Sequence, residues 1–192
     1  MALIIRQLAI LCAALTLFVG SASARKQYGP GVSDTEIKIG NIMPYSGPAS
    51  AYSIVGKTMS AYFRMINDNG GINGRRISFM SYDDAYSPPK TVEQARRLVE
   101  SDEVFLIFAP LGTATNAAIQ KYMNTMRVPQ LFVLSGASRW GDPEHFPWTI
   151  GLQPSYSLKR ESTQRIFCSN IPMRNSASSI KTMILGGTTY WD

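Results

Sequence analysis

Asn67-Asp68-Asn69-Gly70-Gly71-Ile72-Asn73-Gly74-Arg75-Arg76-Ile77, followed a few residues on by Tyr82-Asp83-Asp84, is the stretch that decides the fold. Upstream of it, Tyr62, Phe63, Met65 and Ile66 fall at helical spacing, and the paired glycines supply the left-handed residue on which helices commonly end. Downstream, Ile77, Phe79 and Met80 make the short apolar run of a buried strand, with two carboxylates at its C-terminal end. A helix therefore stops, turns and feeds a strand, and the carboxylates mark the edge at which open α/β sheets hold ligands.

The same alternation continues outward from this block. After a Gly- and Pro-containing loop from Tyr28 to Ser33, Ile37, Ile39 and Ile42 predict a first strand that closes at Met43-Pro44-Tyr45-Ser46-Gly47-Pro48. A helix is expected from about Ala51 to Asp68, and then the strand Ile77 to Tyr82. Pro88-Pro89-Lys90-Thr91 opens the next helix, with Val92, Ala95, Leu98 and Val99 as its apolar stripe. Val104 to Phe108 reads as a buried parallel strand, and Leu111-Gly112-Thr113-Ala114-Thr115-Asn116 turns into a helix through Met123. Val128 to Leu134 is a fourth strand, ending at Ser135-Gly136-Ala137-Ser138. Four alternations of strand and helix predict an α/β fold, a parallel open sheet with helices on both faces.

Residues 1–24 stand apart. Arg6, an apolar run from Leu8 to Val19 and the small residues Ser21-Ala22-Ser23-Ala24 have the pattern of a cleaved secretory signal. With Cys12 removed in the signal, Cys168 remains alone, so no internal disulfide is expected. The formal charge of +6 is uneven: residues 25–156 hold 13 Lys and Arg against 11 Asp and Glu, while residues 157–192 hold 5 against 2. No basic run or aromatic-basic interleaving marks a nucleic-acid surface, and none is expected as a partner.

From Val32 to Tyr156 the chain resembles the first lobe of the periplasmic solute-binding proteins of branched-chain amino acid ABC transporters, the leucine-isoleucine-valine-binding type. The resemblance rests on Ile39-Gly40 with Ser46-Gly47-Pro48, the Asn-x-x-Gly-Gly-Ile-x-Gly block, Tyr82-Asp83-Asp84 and the Pro-Lys-Thr helix start, in that order and spacing. It implies a two-lobed fold of which residues 25–156 form lobe one. It also implies capture of a branched-chain or related amino acid, or an amide, by a periplasmic monomer that delivers it to an inner-membrane permease.

A free amino acid presents a carboxylate and an ammonium, both of which a buried site must satisfy. The turn from Leu111 to Asn116 suits the carboxylate, through Thr hydroxyls and the free N–H groups at the start of the following helix. Thr113 matches a ligand-contacting hydroxyl residue of the family, whereas Thr115 is expected to cap the helix. Gly136 and Ser138 fall where the family holds the ammonium and carboxylate with a backbone carbonyl and a hydroxyl, with Gly-Ala-Ser here in place of Ala-Ala-Thr or similar. Tyr52 matches an aromatic that borders the ligand side chain. Asp83 and Asp84 read as turn-holding groups, because the lone His145 and the lack of a third carboxylate at ligand spacing leave them without catalytic or metal-binding partners. No catalytic residue, metal or cofactor is expected. Trp140 and Trp148 are read as covering the sheet edge or approaching the hinge.

Past Gly151-Leu152-Gln153-Pro154-Ser155-Tyr156 the family would enter its second lobe. Residues 157–192 instead lack a sustained apolar period. One reading is a frameshift near Tyr156: synonymous codons for Ala177 to Asp192, taken two bases later, encode Ile-Leu-Tyr-Gln-Asn-Asp-Asp-Phe-Gly-Arg-Asp-Tyr-Leu-Leu-Gly, a strand and motif typical of lobe two. The other is a genuine short extension. With lobe one alone, weak or undetectable binding is expected. Two rival classes remain: a ligand-sensing receptor or regulator domain of the same fold, and a secreted hydrolase, for which no Gly-x-Ser-x-Gly elbow is present.

Overall fold

The structure, a computed structural model, describes residues 27–170. The expected signal and the segment 171–192, with its alternative frame, lie outside the described residues. Five strands form one wholly parallel sheet in the order β2-β1-β3-β4-β5: β1 (Glu36–Met43), β2 (Arg76–Asp83), β3 (Leu106–Phe108), β4 (Gln130–Val133) and β5 (Thr149–Gly151). The helices are α1 (Ser53–Asp68), α2 (Pro88–Arg96), α3 (Thr113–Met126) and α4 (Tyr156–Asn170). A 3₁₀ turn, Ser50–Tyr52, leads into α1, and a π turn, Arg97–Ser101, continues α2.

The decisive stretch folds as its residues dictate. At the end of α1 the Gly71 N–H returns to the Ile66 carbonyl (2.9 Å), and Gly70 and Gly71 adopt φ of 96° and 72°. Asn67 then reaches across the turn: its amide donates to the Ile77 carbonyl (2.8 Å) and its Oδ1 accepts the Ile77 N–H (2.7 Å), which sets β2 beside the helix it follows. Alternation along each strand sends side chains to two faces. On one face Phe63 of α1 packs on Phe79 and Phe108, with centroids 4.9 and 5.8 Å apart. On the other, Ile42, Leu98, Val104, Ile107, Ile119 and Met123 make a dry core under α2 and α3.

Two expectations are corrected here. The alternation does not stop at four strands: β5 is added at the edge, and the link from β4 carries only a 3₁₀ turn, Ser138–Gly141, where a helix would complete the pattern. Trp140, buried in that turn, packs against Gly151 of β5 and serves as the edge cover. Beyond β5 the chain forms the helix α4, where sequence periodicity gave no element, and its described side chains are mostly exposed. No helix among the described residues is long and apolar enough to cross a membrane.

Candidate functional site

The loops that leave the C-terminal ends of β1 to β4 share one edge of the sheet, and their sequences determine what they present. After β3, Gly112 sits at φ 106°, ψ 154°, a conformation open to glycine alone, and this releases Thr113 as the first residue of α3. No side chain caps the first N–H groups of this 14-residue helix. Thr115 does not take the capping role expected of it: its hydroxyl donates backwards to the Leu111 carbonyl (2.7 Å) in a buried position. The helix start is therefore left with donors directed at the edge.

Thr113, half-buried, meets the loop after β4: its Oγ1 lies 2.6 Å from Oγ of buried Ser135. Ser135 also accepts the Ala137 N–H (3.3 Å), which folds the loop so that Gly136 follows it against the same hydroxyl pair. The Gly136 carbonyl accepts the Tyr156 N–H (2.7 Å), and the Tyr156 ring covers Gly136. The Gly136 amide, and after it the hydroxyls of Ser135 and Thr113, hold the Tyr156 phenol below the usual tyrosine pKa against the opposing effect of burial.

Of the four expected contact residues, the structure thus brings Thr113 and Gly136 into one cluster. Ser138 opens the next 3₁₀ turn and is exposed, and Tyr52 ends the turn before α1, 57% exposed on the β1 side of the same edge. The contacts that tie Thr113, Ser135 and Gly136 together include neither of them. Three residues were missed by sequence reasoning. Ser135 read as an ordinary loop residue after the fourth strand, Tyr156 lay at the limit of the recognised lobe, and Tyr86 sat in the loop after β2, where its ring packs on Gly112. A polar residue directly after a buried strand was the signal for Ser135.

Buried amides brace the cluster from below. Asn116 donates to the Gly112 carbonyl (2.7 Å) and the Pro110 carbonyl (3.2 Å) and accepts from Gln130 Nε2 (2.8 Å); Gln130 accepts in turn from Thr149 (3.3 Å). Asn41 performs the same task one strand away, donating to the carbonyls of Phe108 and Ala109 (2.8 and 3.1 Å).

The aspartate pair binds loops. Asp83 accepts the N–H groups of Tyr45, Ser46 and Ala85 and the Ser46 hydroxyl. Desolvation opposes its ionisation, but the Ser46 hydroxyl and the three amides outweigh it and leave the pKa below the ordinary aspartate value. Asp84 is fully buried, accepting from Thr91 (2.8 Å) and the Tyr86 N–H (2.9 Å), and burial pushes its pKa up. Among the described residues no group of His, Cys, Asp and Glu could hold a metal ion. His145 lies in an exposed loop 3.0 Å from Asp142.

Residues 36–158 match the family model described as periplasmic binding protein. The Leu/Ile/Val-binding protein homolog 1 of Brucella abortus (strain 2308) is 30% identical over 93 residues, which are 48% of this chain and 25% of that relative's length. The fold is similar to that of a possible leucine/isoleucine/valine-binding protein from Rhodopirellula baltica SH 1, with TM-score 0.63 and 22% identity over 71% of this chain and 37% of the other. A substrate-binding periplasmic protein from Ralstonia solanacearum superposes with TM-score 0.61 and 25% identity, covering 69% of this chain and 38% of its own. The chain thus spans about a quarter of the curated relative and well under half of each solved structure.

Proposed function

The chain belongs to the periplasmic binding protein family, and from that premise we propose that residues 25–156 act as the first lobe of a substrate-binding protein, capturing a branched-chain or related amino acid or amide in the periplasm for an ABC permease. Export through removal of residues 1–24 belongs to the same reading. The observation that carries it is the Thr113–Ser135–Gly136 cluster: two hydroxyls 2.6 Å apart, a backbone carbonyl beside them and an uncapped helix start, all at the C-terminal edge of a parallel sheet. These groups provide donors for a carboxylate and an acceptor for an ammonium, and none of them is a nucleophile with a neighbouring base. Tyr52 and Ser138, on flanking loops of that edge, are assigned to the ligand side chain and to the rim.

One lobe encloses one side of such a ligand, so the expected affinity is on the order of millimolar, far from that of a fully enclosed site. Titration of the purified chain with L-leucine, followed by amide NMR, should shift Thr113, Gly136 and the first turn of α3, and Thr113→Val should weaken the response. Shifts confined to other regions, or unchanged by Thr113→Val, would refute the assignment.

A further inference from the structure

Gly136 has an unusual reason to be glycine. Its φ is not in the left-handed range, yet a Cβ there would stand 2.6 and 2.7 Å from Cε1 and Cδ1 of Tyr156 and 3.0 Å from the Pro154 carbonyl. The missing side chain makes room for the Tyr156 ring. That ring arrives at the start of α4, after the exposed Leu152-Gln153-Pro154 segment, and is itself 51% exposed, so it lies on the cluster as a cover that solvent reaches from outside.

The polar groups of Tyr156 fall on the groups that a ligand needs. Its N–H occupies the Gly136 carbonyl at 2.7 Å, the acceptor suited to an ammonium. Its ring lies against Gly136, the residue that follows the Thr113–Ser135 hydroxyl pair suited to a carboxylate, and the Gly136 amide first, then those hydroxyls, hold the phenol below the usual tyrosine pKa. Lys159, 5.9 Å from the ring centroid, adds a cation on the outer side. We propose that the Tyr156 side chain is a self-ligand, its phenol standing in for the carboxylate of an amino acid while its backbone N–H stays on the Gly136 carbonyl, so that a carboxylate ligand enters only when the side chain swings out. The inference rests on the functional reading above and adds to it a competitor encoded in the chain.

Removing the competitor raises affinity, where removing a ligand contact would lower it. The experiment uses the full chain, with L-leucine and isovalerate, which lacks the ammonium, as probes in calorimetry. Tyr156→Ala, which removes the ring and phenol and keeps the N–H on the Gly136 carbonyl, should bind both about tenfold more tightly than the unaltered chain through the carboxylate they share, since roughly 1.4 kcal/mol of competing interaction corresponds to that factor. Tyr156→Phe, which keeps the ring and loses the oxygen, should fall between them. Gly136→Ala, which displaces the ring and keeps the backbone donors, should also gain. Equal or weaker binding by Tyr156→Ala overturns the proposal and leaves the functional reading intact. Binding of neither probe to any variant overturns the functional reading; the phenol titration, taken as the difference between the unaltered chain and Tyr156→Phe, then decides the seating of the ring. A phenol that titrates below the ordinary tyrosine range, and rises part of the way back in Thr113→Val with Ser135→Ala while the Gly136 amide remains, supports the seated ring, and one that titrates normally overturns it.

Discussion

Asn116→Ala tests whether the site loop is held from below by buried amides. Asn116 is fully buried on α3 and makes three hydrogen bonds of 3.2 Å or shorter, to the carbonyls of Pro110 and Gly112 and from Gln130 Nε2. Each such bond contributes about 1 kcal/mol net, and a buried partner left unsatisfied costs about 1–3 kcal/mol. Gln130 Nε2 retains a 3.5 Å approach to the Asn116 backbone carbonyl, and the Pro110 carbonyl keeps the Leu134 N–H (2.9 Å), which softens the loss. The expected destabilisation is therefore about 2–4 kcal/mol, read as a lowered urea midpoint with unchanged slope. Asn116→Asp provides a sharper control. It keeps the acceptor for Gln130 but sets a carboxylate against two carbonyl oxygens, so its penalty at neutral pH should shrink on acidification, when the carboxyl regains a donor. In a double-mutant cycle with Gln130→Met, the combined cost should fall short of the sum by about 1 kcal/mol, because the second substitution removes a donor already left with only the 3.5 Å approach. A loss below about 0.5 kcal/mol for Asn116→Ala, or strict additivity in the cycle, would refute the bracing argument.

Gly112→Ala should cost about 1–3 kcal/mol and blunt any leucine response, because φ of 106° strains an L residue and the new Cβ would stand 2.5 Å from Thr115 Oγ1 and 2.6 Å from Tyr86 Cε2; denaturation and amide NMR read both effects. Phe63→Ala should cost about 3–5 kcal/mol through the lost ring contacts with Phe79 and Phe108, whereas Tyr62→Ala, on the exposed side of α1, should stay within about 0.5–1 kcal/mol; equal losses would count against the buried aromatic row. The adjacent aspartates should have opposite pH signatures in urea midpoints. Asp83, with its depressed pKa, adds stability present above the ordinary value of 3.8 and lost as pH falls through its folded pKa, so Asp83→Asn should flatten the acid limb. Asp84, with its raised pKa, adds stability present below 3.8 and lost as pH rises through its folded pKa, so Asp84→Asn should remove that decline.

The parts of the fold legible in the sequence were those where one residue pattern carried one consequence. Ile37, Ile39 and Ile42 marked β1, and Asn67 to Gly74 marked the turn into β2, because turn chemistry and apolar runs are local. The edge strand β5 escaped because three residues, one of them Gly151, show no alternation, and its place comes from tertiary bonds such as Gln130 N–H to the Trp148 carbonyl (2.7 Å). At the site, Thr113 and Gly136 were reached through family resemblance, and Thr115 was misread because capping and back-bonding hydroxyls look alike in sequence. Tyr156 was not legible as part of the cluster: it lies 20 positions from Gly136, and only the return of the chain along β5 brings the two together. Whether Tyr52 faced the cluster depended on tertiary placement in the same way.

The strand order itself explains why the polar cluster sits over β3 and β4. With β1 flanked by β2 on one side and β3 on the other, the connections reverse direction at β1, and the crevice between the loops of β1 and β3 is the expected ligand position for such a sheet. In this chain that crevice is partly filled: the loop after β2, anchored by Asp84 through Thr91 and the Tyr86 N–H, folds across until the Tyr86 ring rests on Gly112. The aspartate pair at the end of β2 therefore acts on the site indirectly, by placing an aromatic wall at its β1 side. With that side closed, the polar groups on the far side of the wall are the Thr113–Ser135 hydroxyl pair and Gly136, against which the Tyr156 ring lies. An aromatic ring thus stands on each flank of the Thr113–Ser135 hydroxyls, Tyr86 against Gly112 and Tyr156 against Gly136.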